Sequence, residues 1–155
     1  MTLVVYVGGA RSGKSTLAVE RAKAAGAPVT FIATGEAGDE EMADRIEWHK
    51  RERPREWTTI EEPVDLRRAL AAVPAAHTVI VDCLSLWVAN GGDGAVPAPR
   101  DGLTIAVTNE VGLGIVPVNA LARAYRDQLG RVNASWVDAA DEAYFVVAGR
   151  ALRLA

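Results

Sequence analysis

Residues 3–15 read LVVYVGGARSGKS, an apolar run followed by a glycine-rich turn that matches the pattern G-x-x-x-x-G-K-[ST] in full. The run at 3–7 is short and mostly β-branched, which is typical of a strand buried on both faces of a parallel sheet. Residues 15–25 carry alanine and leucine at helical spacing, so the turn lies between a strand and a helix. This context predicts a phosphate-binding loop, the P-loop, made of Gly8, Gly9, Ala10, Arg11, Ser12, Gly13, Lys14 and Ser15.

The chemistry of this pattern is the binding of a purine nucleoside triphosphate together with Mg²⁺. Glycines let the backbone curl so that N–H groups point at phosphate oxygens, and the helix start adds its positive dipole end. We expect Lys14 to reach the β- and γ-phosphates and the Ser15 hydroxyl to bind the metal. A glycine turn that precedes a helix by chance is the alternative, and the complete match in its correct context favours the functional interpretation.

Strand-like and helix-like segments alternate along the rest of the chain. This alternation is typical of βαβ units and predicts an α/β, three-layer P-loop NTPase fold of the RecA-like type, with a mostly parallel central sheet, in one domain over residues 1–155. The further strands are expected at 29–32, 78–81, 103–107 and 143–147, and the further helices at 39–51, 64–72 and 119–140. The glycine- and proline-rich stretch 90–102 (NGGDGAVPAPRDG) is expected to be a loop.

An acidic residue follows the strand expected at 78–81. Asp82 would lie at the carboxyl edge of the sheet, where open parallel sheets place their ligands. A P-loop protein needs a carboxylate there to hold the metal, so we expect Ser15 and Asp82 to share Mg²⁺. The alternative is an aspartate that caps the next helix.

Composition limits the class of protein. The 155 residues carry a formal net charge of −3, which argues against a general nucleic-acid binder. The single cysteine, Cys83, allows no intramolecular disulfide and fits a reducing compartment. No apolar run approaches the roughly 18 residues that span a bilayer. These features predict a cytoplasmic protein without a membrane span and without a nucleic-acid partner.

His49 lies near the end of the helix expected at 39–51. Acidic residues begin that helix and basic residues end it, an order that complements the helix dipole and needs no catalytic explanation. A single histidine on an apolar stripe is more often structural than catalytic. The residues of this helix alone therefore leave both interpretations open.

The wider pattern resembles the bifunctional adenosylcobinamide kinase and adenosylcobinamide-phosphate guanylyltransferase family. The resemblance runs in order over nearly the whole chain, and linked motifs are far more specific than any one of them. They are the P-loop at 8–15, IATG at 32–35, DEEMADRIEWHKRERP at 39–54, WTTIEEP at 57–63, TNEVGLGIVP at 108–117, and LAR, YRD and GRVN at 121–123, 125–127 and 130–133.

The resemblance implies two reactions in the assembly of the cobalamin nucleotide loop. The first transfers the γ-phosphoryl group of ATP or GTP to the hydroxyl of adenosylcobinamide. The second transfers GMP from GTP to that phosphate through a guanylylated histidine, which maps onto His49, and releases pyrophosphate. The other histidine, His77, precedes a strand in an unrelated context. The resemblance also implies a homotrimer.

The resemblance further implies a set of residues that line the nucleotide site. Lys50, Arg51 and Arg53 would favour the neutral form of His49 and neutralise phosphate charge. Glu61 would accept hydrogen bonds from guanine or ribose, unless it is simply an acidic residue in the turn before the next helix. The full implied set is Ala33, Thr34, Gly35, Lys50, Arg51, Glu52, Arg53, Glu61 and Asp82.

The segments 90–102 and 109–117 give two further predictions. Members of the family have a longer, partly helical connection where this chain has the loop 90–102, so one face of the sheet is expected to be exposed or covered by a neighbouring subunit. The glycine-rich stretch 109–117 would face the corrinoid substrate, or it serves only as a turn.

Two other functions compete with the bifunctional enzyme. One is a guanylyltransferase without kinase activity, and the other is a non-catalytic nucleotide-binding module or RecA-like ATPase.

Overall fold

The computed structural model describes residues 2–36, 38 and 40–154, without the side chains of residues 41, 42, 45, 48, 49 and 52. Over these residues, strands and helices alternate. The elements are β1 (Thr2–Gly8), α1 (Lys14–Ala24), β2 (Val29–Ala33), α2 (Glu40–Glu52), β3 (Thr58–Glu61), α3 (Leu66–Ala71), β4 (Thr78–Asp82), α4 (Leu84–Ala89), β5 (Leu103–Asn109), α5 (Ala120–Asp138), β6 (Glu142–Val147) and β7 (Arg150–Arg153).

One sheet holds all of these strands, in the order β3-β2-β4-β5-β1-β6-β7. Strands β1 to β6 run parallel, and β7 is antiparallel to β6. The carboxyl ends of the six parallel strands therefore meet at one edge of the sheet. Strand β5 separates β1 from β4 at the centre. This arrangement confirms the predicted three-layer α/β P-loop fold with a mostly parallel sheet.

The core has two layers because β1 is covered on both faces. Val4 and Tyr6 pack with Ala18 and Ala22 of α1, while Val5 packs on the opposite face. That opposite face carries Leu66, Leu70, Trp87, Leu129 and Trp136 from α3, α4 and α5. Burial on both sides explains why the sequence of β1 is continuously apolar rather than alternating.

Three elements were not predicted from the sequence. Strand β3 lies at one edge of the sheet, is largely exposed, and has Ile60 as its single apolar side chain. Strand β7 is exposed throughout. Helix α4 has six residues, LSLWVA, and a short apolar run of that kind does not distinguish a helix from a strand. The predicted strands and longer helices are all present with small shifts at their ends.

The predicted loop at 90–102 contains neither helix nor strand. It packs closely on its surroundings: the indole N–H of Trp136 donates to the carbonyl of Gly94 at 3.3 Å, and Val96 packs against the core. Arg100 donates to the carbonyls of His77 and Pro74 at 3.0 and 2.8 Å.

The expectation that one sheet face would be bare or left to a neighbouring subunit is wrong. The side chains of Val79, Val81 and Ala106 on that face are fully buried within the chain itself. Helices α3, α4 and α5 cover them, and Val96 of the loop adds to the same core.

Replacement of Gly94 by alanine tests this packing. An alanine Cβ at Gly94 (φ 74°) would lie 2.7 Å from Cγ2 of Val132 in α5, whereas at Gly26 (φ 69°) it would meet nothing within 4 Å. We expect Gly26→Ala to lower the free energy of unfolding by about 1–2 kcal/mol through its left-handed backbone alone. Gly94→Ala should cost about 1–3 kcal/mol more, because the added methyl group overpacks the contact. Urea denaturation measures both, and equal losses would contradict the packing of the loop against α5.

Candidate nucleotide-binding site

The P-loop forms the turn from β1 into α1. Gly13 has φ 97°, a left-handed conformation that glycine adopts at little cost. A Cβ at Gly8 would collide with the carbonyl oxygen of Val146 on the neighbouring strand β6. Both motif glycines are therefore required by the backbone that surrounds the loop.

The β6–β7 turn supports the loop from outside. The backbone N–H of Gly149 donates to the carbonyl of Ser12 at 2.8 Å. A Cβ on Gly13 would lie 3.0 Å from Cα of Gly149, so the turn and the loop are in close contact. The sequence did not predict this contact, because it did not predict β7 and therefore gave no turn after β6.

Two polar side chains of the P-loop bind the loop backbone and the end of β4. Lys14 is buried, and its ammonium group donates to the carbonyl of Gly9 at 2.8 Å. The Ser15 hydroxyl donates to Oδ2 of Asp82 at 3.2 Å. The two side chains predicted to share a metal thus lie side by side. Ser12 adds a buried hydroxyl without a hydrogen-bond partner among the residues that the structure describes.

Two further predicted residues, Ala33 and Glu61, lie in one row with Asp82 at the carboxyl edge of the sheet. Ala33 is in register with Asp82 on one side and with Glu61 on the other. The ends of β3, β2 and β4 therefore present these positions next to one another. Gly35 follows two residues after Ala33, at the same edge.

Thr34 is fully buried, and its side chain is committed within the chain. Its hydroxyl donates to the carbonyl of Cys83 at 2.7 Å and accepts from the Cys83 N–H at 2.8 Å. Its backbone N–H donates to the carbonyl of Asp82 at 3.1 Å. These bonds fix the backbone that carries the Asp82 carboxylate, a supporting role that the sequence alone did not suggest.

The basic end of α2 is attached to the same edge. The Lys50 ammonium lies 2.7 Å from Oε1 of Glu61 and 3.6 Å from Glu47. The hydrogen bond with Glu61 raises the pKa of Lys50, and the same bond lowers the pKa of Glu61. The charged form of each partner is therefore favoured, and the two charges offset each other.

Arg53 makes the second attachment of this helix end. Its guanidinium group lies 3.5 Å above the centre of the Phe31 ring in β2. Burial lowers the pKa of Arg53, while the charges of Asp82 and Glu61 raise it. Arg53 is thus a half-buried cation within electrostatic range of the predicted metal ligand.

Most of the remaining predicted site residues are exposed or have side chains outside the described residues. The side chains of Ala10, Arg11 and Arg51 are exposed. His49 belongs to α2 by its backbone, but the side chains of His49 and Glu52 lie outside the described residues. His77 lies at the opposite, amino edge of the sheet, where its Nδ1 is 2.8 Å from the Thr30 hydroxyl.

A buried polar network behind the edge was missed by the sequence analysis. Asn133 accepts from the Thr108 hydroxyl at 2.7 Å and donates to the carbonyl of Asn109 at 3.0 Å. Ser85 accepts from the Asn109 N–H at 3.2 Å, and the Tyr125 hydroxyl donates to the Ser85 carbonyl at 3.0 Å. The available signal was a polar residue within an apolar stretch, namely Ser85 in α4 and Asn133 beside Val132 and Trp136 in α5.

Two further features concern metals and membranes. Among the described residues, no group of three or more His, Cys, Asp or Glu side chains is placed to hold a metal ion. Within the same part of the chain, no helix has the length and apolar character that crossing a membrane requires.

The chain matches a family model described as cobinamide kinase / cobinamide phosphate guanyltransferase, over residues 3–95 and 94–154. It is 39% identical over 160 residues to the bifunctional adenosylcobalamin biosynthesis protein CobP of Pseudomonas aeruginosa, with 94% of this chain and 92% of that protein covered. It is 36% identical to the bifunctional adenosylcobalamin biosynthesis proteins CobU of Escherichia coli (180 residues) and Salmonella typhimurium (181 residues), with 98% of this chain and 99% of each relative covered.

The relatives also differ from this chain in length. The two parts of the family match meet at residues 94–95, inside the loop 90–102. The alignment with the Escherichia coli protein spans 180 positions, more than the 155 residues of this chain, so that relative carries residues that this chain lacks. The family match, together with 36–39% identity to three relatives over nearly the full length of the chain, shows that this protein is an enzyme of the cobinamide kinase / cobinamide phosphate guanyltransferase family.

Proposed function

We propose that this enzyme carries out two successive transfers at one nucleotide site. It first phosphorylates adenosylcobinamide with ATP or GTP, and it then transfers GMP from GTP to the new phosphate through a guanylylated His49. The products of the second step are adenosylcobinamide-GDP and pyrophosphate. The observation that carries this proposal is that α2, the helix that contains His49, ends at the same sheet edge as the P-loop, where Lys50 contacts Glu61.

The P-loop supplies the grip on the triphosphate. Its backbone N–H groups and Lys14 neutralise phosphate charge, and Lys14 is already held within the loop by the Gly9 carbonyl. Phosphoryl transfer depends mainly on such positioning and on electrostatic stabilisation. The acceptor hydroxyl of the corrinoid would attack the γ-phosphorus, and the nucleoside diphosphate would leave.

The residues present fit a magnesium ion. Ser15 and Asp82 offer a hydroxyl and a carboxylate oxygen 3.2 Å apart. Mg²⁺ is commonly held by one or two protein oxygens, with phosphate oxygens and water completing its ligands. A bound ion would neutralise the charge that develops on the β- and γ-phosphates.

The second transfer uses the imidazole of His49 as nucleophile. An unprotonated ring nitrogen attacks the α-phosphorus of GTP, an N–P bond forms, and the bond to pyrophosphate breaks. An oxygen of the corrinoid phosphate then attacks the same phosphorus and releases the histidine. Lys50 and Arg51 follow His49 in the sequence, and positive charges close to the ring would favour the unprotonated nucleophile. Glu61 offsets part of the Lys50 charge, since the two groups are paired.

The other nucleotide contacts are proposed for Ala33, Thr34, Gly35, Lys50, Arg51, Glu52, Arg53 and Glu61. Because the Thr34 side chain is committed to Cys83, we expect this segment to act through Gly35 and through the placement of Asp82. The homotrimer, the cytoplasmic location and the choice between ATP and GTP for the first step stay predictions.

Labelling with GTP that carries ³²P in its α-phosphate tests the nucleophile. The wild-type protein should retain an acid-labile, alkali-stable label after denaturation, and His49→Ala should retain none, because it lacks the attacking nitrogen. The chain has two histidines, so His77→Gln is the matched control and should keep its label. Equal labelling of His49→Ala and wild type would show that another residue is the nucleophile.

Replacement of Lys14 by alanine tests whether both reactions share one site. We expect both the kinase and the guanylyltransferase rate to fall by about 10²–10³-fold, the usual cost of removing one group that stabilises developing charge. Lys23→Ala is the control, since Lys23 is an exposed lysine in the last turn of the same helix. Separate assays of the two rates check this, and an unchanged kinase rate in Lys14→Ala would contradict a shared phosphate grip.

The metal assignment has its own test. Asp82→Asn should raise the Mg²⁺ concentration needed for half-maximal activity by about tenfold or more, since a neutral amide is a weaker ligand than a carboxylate. Titration of kinase activity with Mg²⁺ at saturating nucleotide measures the shift. Asp65→Asn changes an aspartate that instead caps α3 and should leave the requirement unchanged. If Asp82→Asn has the same Mg²⁺ requirement as the wild type, Asp82 is not a metal ligand.

A further inference from the structure

The segment 111–121, between β5 and α5, exposes apolar side chains along most of its length. Ile115 and Val118 are 97% and 99% exposed, and the segment contains no charged residue. The other exposed apolar side chains are those of Val111, Leu113, Val116 and Leu121. A concentration of apolar groups of this kind on a surface marks a binding site more often than chance.

Hydrogen bonds hold this segment at both ends. At its start, the Glu110 N–H donates to the carbonyl of Gly8 at 3.0 Å. At its end, the Arg123 guanidinium donates to the carbonyls of Pro117 and Val118 at 2.8 and 2.7 Å. Asn119 caps α5 by accepting from the Ala122 N–H. The backbone is thus anchored while the apolar side chains point away from the core.

The location of the segment relates it to catalysis. Gly8 is the first residue of the P-loop, so segment 111–121 begins one hydrogen bond away from the phosphate-binding backbone. It also follows β5, which lies between the P-loop strand and the strand that carries Asp82. An acceptor in either transfer must bring its reacting oxygen to about 3–3.5 Å from a phosphorus atom of the bound nucleotide. The body of the acceptor must therefore rest on this edge of the protein.

We propose that segment 111–121 is the surface on which the corrin ring of the cobinamide substrate packs, an inference that rests on the proposed function. A corrin ring is a broad, largely hydrocarbon macrocycle with neutral amides around its rim. An uncharged apolar segment complements the ring, and nearby backbone groups can bond the amides. The segment would thus position the aminopropanol arm of the substrate toward the P-loop. The competing occupant of this surface is a second copy of the chain.

The double variant Ile115→Ser and Val118→Ser tests the proposal. Both side chains are almost fully exposed, so the substitutions remove apolar surface without disturbing the core. Leu152→Ser with Leu154→Ser is the matched control. These leucines are 57% and 56% exposed, and Leu154 lies near the amino end of β6, at the opposite edge of the sheet.

Equilibrium dialysis of cobinamide, followed by its visible absorbance, measures binding in the presence of a non-hydrolysable GTP analogue. We expect the Ile115/Val118 variant to bind cobinamide about tenfold more weakly or worse, because two apolar contacts are lost. Its affinity for the GTP analogue and its mass by light scattering at the same concentration should be unchanged. The Leu152/Leu154 variant should match the wild type in all three measurements.

Two outcomes would overturn the inference alone. One is a double variant that binds cobinamide as tightly as a wild type that does bind it. The other is weaker binding that appears only together with a fall in oligomeric mass, which would identify the segment as a contact between subunits. A wild-type protein that binds the nucleotide but no cobinamide would instead contradict the proposed function, and this inference with it.

Discussion

The hydrogen bond between Ser15 and Asp82 joins two parts of the chain on which the rest of the site depends. It connects the first turn of α1 to the end of β4, across the central strand β5. This contact is possible only because β1, β5 and β4 run parallel and end at the same edge. The bonds from Thr34 to Cys83 hold the far side of the Asp82 backbone. A phosphate loop and a carboxylate thereby meet without any long loop between them.

The two contacts at the end of α2 contribute little free energy. Lys50 and Glu61 form an exposed ion pair, and such pairs contribute about 0–1 kcal/mol. The contact of Arg53 with Phe31 is half-buried, and interactions of this type contribute about 0.5–2 kcal/mol. Neither contact is costly to break. Lys50 and Arg53 can therefore leave these partners at little cost, whereas the hydrogen bonds of Ser15, Asp82 and Thr34 form the fixed part of this edge.

Much of this arrangement could be predicted from the sequence, for identifiable reasons. The P-loop pattern fixes a strand, a turn and a helix at once, and the apolar run 78–81 followed by Asp82 fixes the position of the second ligand. The pairing of Lys50 with Glu61 could not be predicted, because it depends on the register of β3, a short strand with one apolar residue. The buried network of Ser85, Thr108 and Asn133 also depends on tertiary contacts between distant segments. The coverage of the sheet face beside loop 90–102 was predicted wrongly because glycine and proline content predicts irregular backbone, not whether that backbone packs on the core.

In the proposed second transfer, His49 becomes covalently linked to GMP bound at the P-loop. Peptide mapping by mass spectrometry of the protein after incubation with GTP and Mg²⁺, quenched at alkaline pH, tests this most directly. We expect one GMP group on the peptide that contains residues 46–50, with fragmentation that assigns it to His49. GMP on a different residue, or turnover of GTP to adenosylcobinamide-GDP without any covalent adduct, would contradict it.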